Sequence, residues 1–236
     1  MVKVIAHRGA SGLVDFENTL ESFRKAIVLG ADMVEFDVRQ TKDKALVVFH
    51  DRNFADTPIE WQTYSNIEKE AKQRGFHMPL LREVLELCHG RIFMDIEVKD
   101  HGYEKKIVKE LHKYADVDEY TIKSFKDKVV YSIKKYDPEI KTGLLIGNYK
   151  NNLRRKISEL FPVRRLKACK ADFVGPYYKL LKLNFTRRLK RKGYPIYVWT
   201  VNERADIKRL LKSNVDGIIT DRPDIALEER MLLEEK

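Results

Sequence analysis

Met33-Val34-Glu35-Phe36-Asp37-Val38-Arg39-Gln40-Thr41-Lys42-Asp43-Lys44-Ala45-Leu46-Val47-Val48-Phe49-His50-Asp51 is the stretch that decides the fold. Two β-rich runs, Met33–Val38 and Leu46–Phe49, flank seven residues, with Thr41-Lys42-Asp43-Lys44 as the turn. A parallel crossover takes about a dozen residues or more, so these runs must form an antiparallel hairpin. A tight turn at Lys42–Lys44 makes paired residue numbers sum to about 86 or 87, which sets His50 across from Phe36 or Asp37. Alternation puts Glu35 and Asp37 on one face of their strand. The hairpin therefore delivers a histidine beside two carboxylates.

Outward from this hairpin, short β-rich runs alternate with helical ones. Val2–Ala6 precedes it; Ile92–Val98, Tyr120–Ser124, Thr142–Ile146, Phe173–Gly175, Ile196–Thr200 and Gly217–Thr220 follow. Helical periodicity places helices at Glu17–Leu29, ended by Gly30, and at Ser65–Arg74, Glu104–Tyr114, Lys126–Tyr136, Leu183–Lys192 and Arg204–Lys212. Strand–helix alternation implies a parallel sheet. Nine strand segments less one hairpin return leave eight, the count of a closed α/β barrel. The expectation is a TIM-type (β/α)8 barrel with an antiparallel hairpin after strand 2 and a short insertion, 51–79, before strand 4.

The 236 residues are 43% hydrophobic, enough for a core and against disorder. No repeat, low-complexity tract or linker divides the chain, so one domain over 1–236 is expected, with 51–79 a small insertion over the barrel mouth. No apolar run reaches the length of a membrane span. The N-terminus reaches His7-Arg8 too soon for a leader, so a cytoplasmic protein is expected. Cys88 and Cys169 lack metal-site or CxxC spacing and read as buried thiols. The net charge of +10 is concentrated: residues 145–195 hold 15 Lys and Arg against Glu159 and Asp172, a net +13, leaving −3 elsewhere. Such a face attracts polyanions or is simply a set of solvated helix faces. No nucleic-acid module accompanies it, so no nucleic-acid partner is expected.

Side chains at the C-terminal strand ends of a parallel barrel share one mouth. Those ends carry His7-Arg8-Gly9, Glu35 and Asp37, His50-Asp51, Glu97 and Lys99, Ser124, Trp199-Thr200 with Asn202, and Thr220-Asp221. Each ingredient alone is commonly structural. Together, Glu35, Asp37 and Glu97 bring three negative charges to one place, which is costly unless a cation neutralises them. All-oxygen ligation suits Mg²⁺ or Ca²⁺ and disfavours zinc. Two histidines suit proton transfer near neutral pH. Arg8 and Lys99 supply fixed positive charge for an anion. Metal, acid–base pair and anion clamp together describe phosphodiester cleavage.

His7-Arg8-Gly9, Glu17-Asn18-Thr19, Glu35-Phe36-Asp37-Val38, His50-Asp51 and Ile96-Glu97-Val98-Lys99, in that order, closely resemble the motifs of the glycerophosphodiester phosphodiesterase family. Pro79–Leu85 is similar to its proline-led helix. Val198-Trp199-Thr200-Val201-Asn202 and Gly217–Asp221 look like its closing strands. The resemblance implies a phospholipase-C-like barrel and metal-dependent hydrolysis of glycerophosphodiesters to sn-glycerol 3-phosphate and an alcohol. It implies His7 and His50 as the acid–base pair, and Glu35, Asp37 and Glu97 as ligands of one divalent cation, Ca²⁺ or Mg²⁺. It further implies Arg8 and Lys99 on the phosphate, Trp199 by the glycerol group and Glu17 in support. Asn18-Thr19 reads as the opening cap of the first helix. One departure stands out: no glycine lies between Asp51 and Arg74, where the family usually shows a glycine-rich turn. That leaves the identity of the alcohol open.

Leu153, Ile157, Leu160 and Phe161 share a helix face within a basic stretch. The pattern fits either a helix resting on anionic lipid through 149–192, which would favour lysophospholipid substrates, or a barrel helix packed on the sheet. The rival readings are a phosphoinositide- or sphingomyelin-directed phosphodiesterase, a non-catalytic polyanion-binding protein and an enolate-forming Mg²⁺ barrel.

Overall fold

The computed structural model describes residues 1–147 and 153–235, with the backbone alone at 153–156. In chain order the elements are β1 (Lys3–Ala6), α1 (Leu20–Leu29), β2 (Met33–Gln40), β3 (Leu46–Val48), β4 (Asn53–Phe54), β5 (Thr57–Pro58), α2 (Tyr64–Gln73), α3 (Leu81–Cys88) and β6 (Phe93–Val98). There follow α4 (Glu104–Tyr114), β7 (Tyr120–Ser124), α5 (Asp127–Tyr136), β8 (Lys141–Ile146), α6 (Leu153–Leu160), α7 (Val163–Cys169), β9 (Phe173–Pro176), α8 (Phe185–Lys190), β10 (Tyr197–Val198), α9 (Arg204–Leu211), β11 (Gly217–Thr220) and α10 (Pro223–Glu234).

Eight strands run parallel in the order β10-β11-β1-β2-β6-β7-β8-β9. Parallel bridges Val174↔Ile196 and Tyr177↔Trp199 bring the two ends together, so the sheet is a nearly closed TIM-type barrel. β3 pairs antiparallel with β2 through Val38↔Val48, Arg39↔Val47 and Gln40↔Leu46. Every pair sums to 86, so His50 follows on opposite Phe36, as the turn length requires.

Parity along the strands sorts the side chains. On β2, Val34, Phe36 and Val38 join the apolar layer between sheet and helices, as do Met94, Ile96 and Val98 on β6. The alternate residues point into the barrel. Its lower part is apolar, with Ile5, Met33 and Ile219 packed by Phe93, Tyr197 and Trp199. A second helix–sheet layer, with Leu144, Val174, Leu189 and Ile218, covers the other half. The barrel is tight: a Cβ on Gly143 would lie 2.1 Å from the Phe173 ring.

Several boundaries differ from the sequence expectation. α1 begins at Leu20, not Glu17, because Thr19 is its cap: its side chain accepts from Ser22 N–H. α8 begins at Phe185, not Leu183, because Leu183 and Asn184 are both left-handed, with φ of 51° and 57°. The basic stretch at 149–170 is not one helix, since α6 and α7 break at Phe161-Pro162. Residues 149–152, and the side chain of Leu153, lie outside the described residues. Ile157 and Phe161 stay exposed, so the face expected there does not pack on the sheet. α10 had no counterpart in the sequence reading.

Residues 51–79 form the β4–β5 hairpin and α2 around a small core of Val47, Phe54, Ile59, Ile67, Ala71 and Met78. Phe76 stacks on Phe16 with ring centroids 4.8 Å apart, joining this segment to the loop before α1. Cys88 and Cys169 are buried free thiols, as expected. Among the described residues, no helix is long and apolar enough to cross a membrane.

Candidate active site

A cavity of about 210 Å³ opens at the C-terminal ends of the barrel strands, lined by His7, Arg8, Glu35, His50, Glu97, Lys99, Lys123, Phe125, Leu145, Trp199, Thr200 and Ile219. No residue of 51–79 is among them. Seven of the nine residues named from sequence line it; Glu17 and Asp37 do not, but Glu17 pairs with Arg8 and Asp37 with Lys99, both of which do.

Register explains the carboxylates. Asp37 pairs with Glu97 across β2 and β6, and Glu35 with Asp95. All four are on inward parity and buried. Oxygens of Glu35, Asp37 and Glu97 lie within 4.8 Å of one another. Lys99 Nζ bridges Asp37 Oδ1 and Glu97 Oε1, each at 2.7 Å. Burial pushes the Asp37 pKa up, but Lys99, Arg8 and His50 overcome it and hold it well below the usual carboxylate range. Burial, with Asp37 and Glu35 as neighbours, leaves the Glu97 pKa raised despite Lys99. The donor set is all oxygen, anionic and convergent, so it fits a hard divalent cation. A second group, His89, Asp116 and Glu119, lies at the surface, where such acidic clusters are common without an ion.

Each histidine is held through Nδ1. His7 Nδ1 is 2.6 Å from Asp221 Oδ1, and His50 Nδ1 is 2.7 Å from Asp51 Oδ1. A carboxylate there favours the Nδ1–H tautomer and leaves Nε2 as the acceptor. His7 Nε2 is 4.0 Å from Glu35 Oε2. Burial lowers the His50 pKa, and nearby Lys99 and Arg8 lower it further against the pull of Asp37 and Asp51. The lowered pKa favours the uncharged ring, the form that can accept a proton.

Arg8 is left-handed, with φ of 51°, and Gly9 follows at φ 82°. A Cβ on Gly9 would meet the Ser22 backbone at 2.6 Å. The turn thus needs glycine, and it swings Arg8 over the carboxylates. Arg8 Nη1 donates to Glu17 Oε1 at 2.6 Å, which gives Glu17 its supporting place. Arg8 Nε is buried with no hydrogen-bond partner, 3.4 Å from Asp37 Oδ2. Trp199 is fixed by Nε1 donating to Gly175 O at 2.8 Å and by edge contact with Phe125.

Three site residues escaped the sequence reading. Asn18 is not a cap: it turns left-handed, with φ of 55°, its Nδ2 donates to Asp37 Oδ2 at 2.9 Å, and Asp37 N–H donates to its Oδ1. Asp221 appeared only as a strand-end residue, yet it accepts from His7, Ser11 and Asn202. Lys123 was passed over for Ser124, but Ser124 is on the outward parity and donates to Val98 O. Lys123, in register with Glu97, points inward, 2.6 Å from Asp95 Oδ2 and 3.2 Å from Glu35 Oε1. Counting parity from Glu97 would have found it.

Residues 7–225 match the model of the glycerophosphoryl diester phosphodiesterase family. A glycerophosphodiester phosphodiesterase of Caldanaerobacter subterraneus subsp. tengcongensis is 34% identical over 239 residues, covering 94% of each chain. The solved structure of a putative glycerophosphoryl diester phosphodiesterase from Silicibacter pomeroyi is similar at a TM-score of 0.87 and 24% identity, covering 99% of this chain and 94% of the other. A phosphodiesterase of Oleispira antarctica, solved with the product sn-glycerol-3-phosphate, is similar at a TM-score of 0.82 and 23% identity over 96% of each chain. The chain belongs to the glycerophosphoryl diester phosphodiesterase family and is a phosphodiester hydrolase.

Proposed function

We propose that the protein hydrolyses glycerophosphodiesters to sn-glycerol 3-phosphate and an alcohol, with one Ca²⁺ or Mg²⁺ held by Glu35, Asp37 and Glu97. The observation that carries this reading is the meeting of that buried carboxylate triad with two aspartate-held histidines in one small cavity. The O. antarctica relative, solved with sn-glycerol-3-phosphate, supports the product. A bound divalent cation would polarise the phosphoryl group and offset charge developing on it. Arg8 and Lys99 hold phosphate oxygens. The Trp199 ring packs by the glycerol carbons.

The attacking hydroxyl comes from water or from the neighbouring glycerol 2-hydroxyl. His7 and His50 divide the proton work. One takes the proton of the attacking hydroxyl as its oxygen bonds phosphorus; the other protonates the departing alkoxide as the bond from phosphorus to the alcohol oxygen breaks. Each such transfer contributes roughly 10²–10⁴-fold. When the glycerol hydroxyl attacks first, water then opens the cyclic diester, and the two rings exchange roles. Asp221 and Asp51 keep the rings in register throughout. We read 1–236 as one domain, with 51–79 shaping leaving-group choice beside the mouth. The protein is expected to work in the cytoplasm.

The test is release of glycerol 3-phosphate from glycerophosphocholine, glycerophosphoethanolamine, glycerophosphoglycerol and a lysophospholipid, with and without EDTA. Metal-dependent release is expected, and release unaffected by EDTA would refute the ligand assignment.

One observation favours a second, compatible reading, contact with an anionic membrane. Exposed Phe161 edges an apolar cleft whose rim carries Arg188, Arg191 and Lys192. Apolar side chains framed by cations suit a surface of anionic lipid and would bring lysophospholipids to the enzyme. Sedimentation with anionic vesicles is expected to fall as salt rises, and absence of salt-sensitive binding would end this reading.

A further inference from the structure

His50 stands where the chain leaves the sheet. The ladder with β2 ends at Phe49, whose N–H donates to Asp37 O at 3.0 Å, and Asp51 and Arg52 beyond are exposed. Something other than the hairpin must hold the histidine's backbone. Arg39, two residues beyond Asp37 on β2, does so with a fork: Nε donates to His50 O at 3.0 Å and Nη2 to the same oxygen at 2.7 Å. Its remaining arm, Nη1, donates to Asp100 Oδ2 at 2.6 Å. Asp100 follows Lys99 at the tip of β6, pairs through its other oxygen with Lys126 after β7, and donates its N–H to Tyr103 Oη. Tyr103 in turn donates to Val38 O. The Arg39 side chain is only 11% exposed.

We propose that Arg39 is a positioning residue of the hydrolysis: its guanidinium fork, braced by Asp100 and Lys126, fixes the His50 backbone so that the imidazole reaches the reacting proton. The proposal rests on the reading of His50 as a proton-transfer residue. The guanidinium shape is what the place requires. A planar fork makes two bonds to one carbonyl and a third to a carboxylate at once, which an ammonium on a flexible stem does not match. Arg39 and Asp100 also line a cleft of about 300 Å³ beside the mouth, so truncating the arginine opens its place to small solutes.

The experiment compares wild type with Arg39→Met, Arg39→Lys, His50→Ala and Arg39→Met/His50→Ala in the glycerol 3-phosphate assay, with Mg²⁺ or Ca²⁺ affinity followed by calorimetry. Both Arg39 variants are expected to lose kcat about 10- to 100-fold, the scale of a displacement near 1 Å at a reacting group. KM and metal affinity should stay within threefold. Millimolar guanidinium should restore part of the kcat of Arg39→Met. Adding Arg39→Met to His50→Ala should cost nothing further, because the two act as one unit. A kcat within threefold of wild type in Arg39→Met, while His50→Ala is inactive, overturns the proposal and spares the reading of His50. A full additional loss in the double variant, or metal affinity falling with kcat, makes Arg39 a strut of the barrel rim and overturns it too. Unimpaired His50→Ala refutes the reading of His50 and the proposal with it.

Discussion

Asp221→Asn isolates what a half-buried carboxylate does for His7. The Asp221 side chain is 29% exposed, and its Oδ1 receives His7 Nδ1 at 2.6 Å and Ser11 Oγ at 2.8 Å, while Oδ2 receives Asn202 Nδ2. Burial opposes the charge, yet these partners hold the Asp221 pKa at about 2. The depression below the usual carboxylate value corresponds to about 2 kcal/mol in favour of the ionised form, shared among the partners. An amide has one accepting oxygen for three donors, so its NH₂ must face a donor. With the carboxylate gone, the Nδ1–H tautomer of His7 loses its anchor. We expect kcat to fall about 10²–10³-fold at pH 7, within the range of one general acid or base. Tm should fall by about 4–8 °C, at 2–4 °C per kcal/mol for a chain of this size. The sign of the pH dependence follows from the depressed pKa. The stabilisation is present above the unfolded value near 4 and disappears as pH falls through about 2, so the Tm gap between variant and wild type should close over that window. The assays are coupled glycerol 3-phosphate release and thermal melts from pH 7 to pH 2. A kcat within threefold of wild type, even with a lowered Tm, would refute the idea that Asp221 orients a proton-transferring His7.

Three further outcomes are expected. Asn18→Ala frees Asp37 from its hydrogen-bonded partner and should weaken Mg²⁺ or Ca²⁺ binding about 10- to 100-fold by calorimetry, with α1 intact because Thr19 remains its cap. Gly9→Ala forces a side chain into Ser22 at φ 82° and should lower Tm by about 5–15 °C, the cost of a left-handed residue and an overpacked contact together. Burial pulls the His77 pKa down, but the hydrogen bonds its ring donates to Glu68 and Glu83 overcome it and leave it raised. That linkage is complete below the ordinary histidine value and is lost as pH rises through the raised one. His77→Gln should therefore lower Tm at pH 6 and lose its effect as pH rises through the raised value.

The barrel and its hairpin were legible because their signals are local. A seven-residue connection cannot make a parallel crossover, and period-two parity assigns Glu35 and Asp37 to one face whatever the distant chain does. The carboxylate triad followed from that parity and from Glu97 at a strand end. Asn18 was read as a cap because Asn before a helix usually is one, and nothing local signals a left-handed residue turned toward Asp37. The basic stretch near 160 carried a helical period that Pro162 interrupts in space.

Residue order by itself determined the eight parallel strands, the reversal at Thr41–Lys44, and which side chains of β2 enter the barrel, since strand length and alternation are properties of neighbouring residues. The tertiary structure alone decided who holds whom: Asp221 on His7 across 214 residues, Arg39 on the His50 carbonyl, and Lys123 between Asp95 and Glu35. Those pairings depend on barrel closure and strand register, which bring together groups far apart in the chain, and hydrogen bonds form only at distances that closure sets.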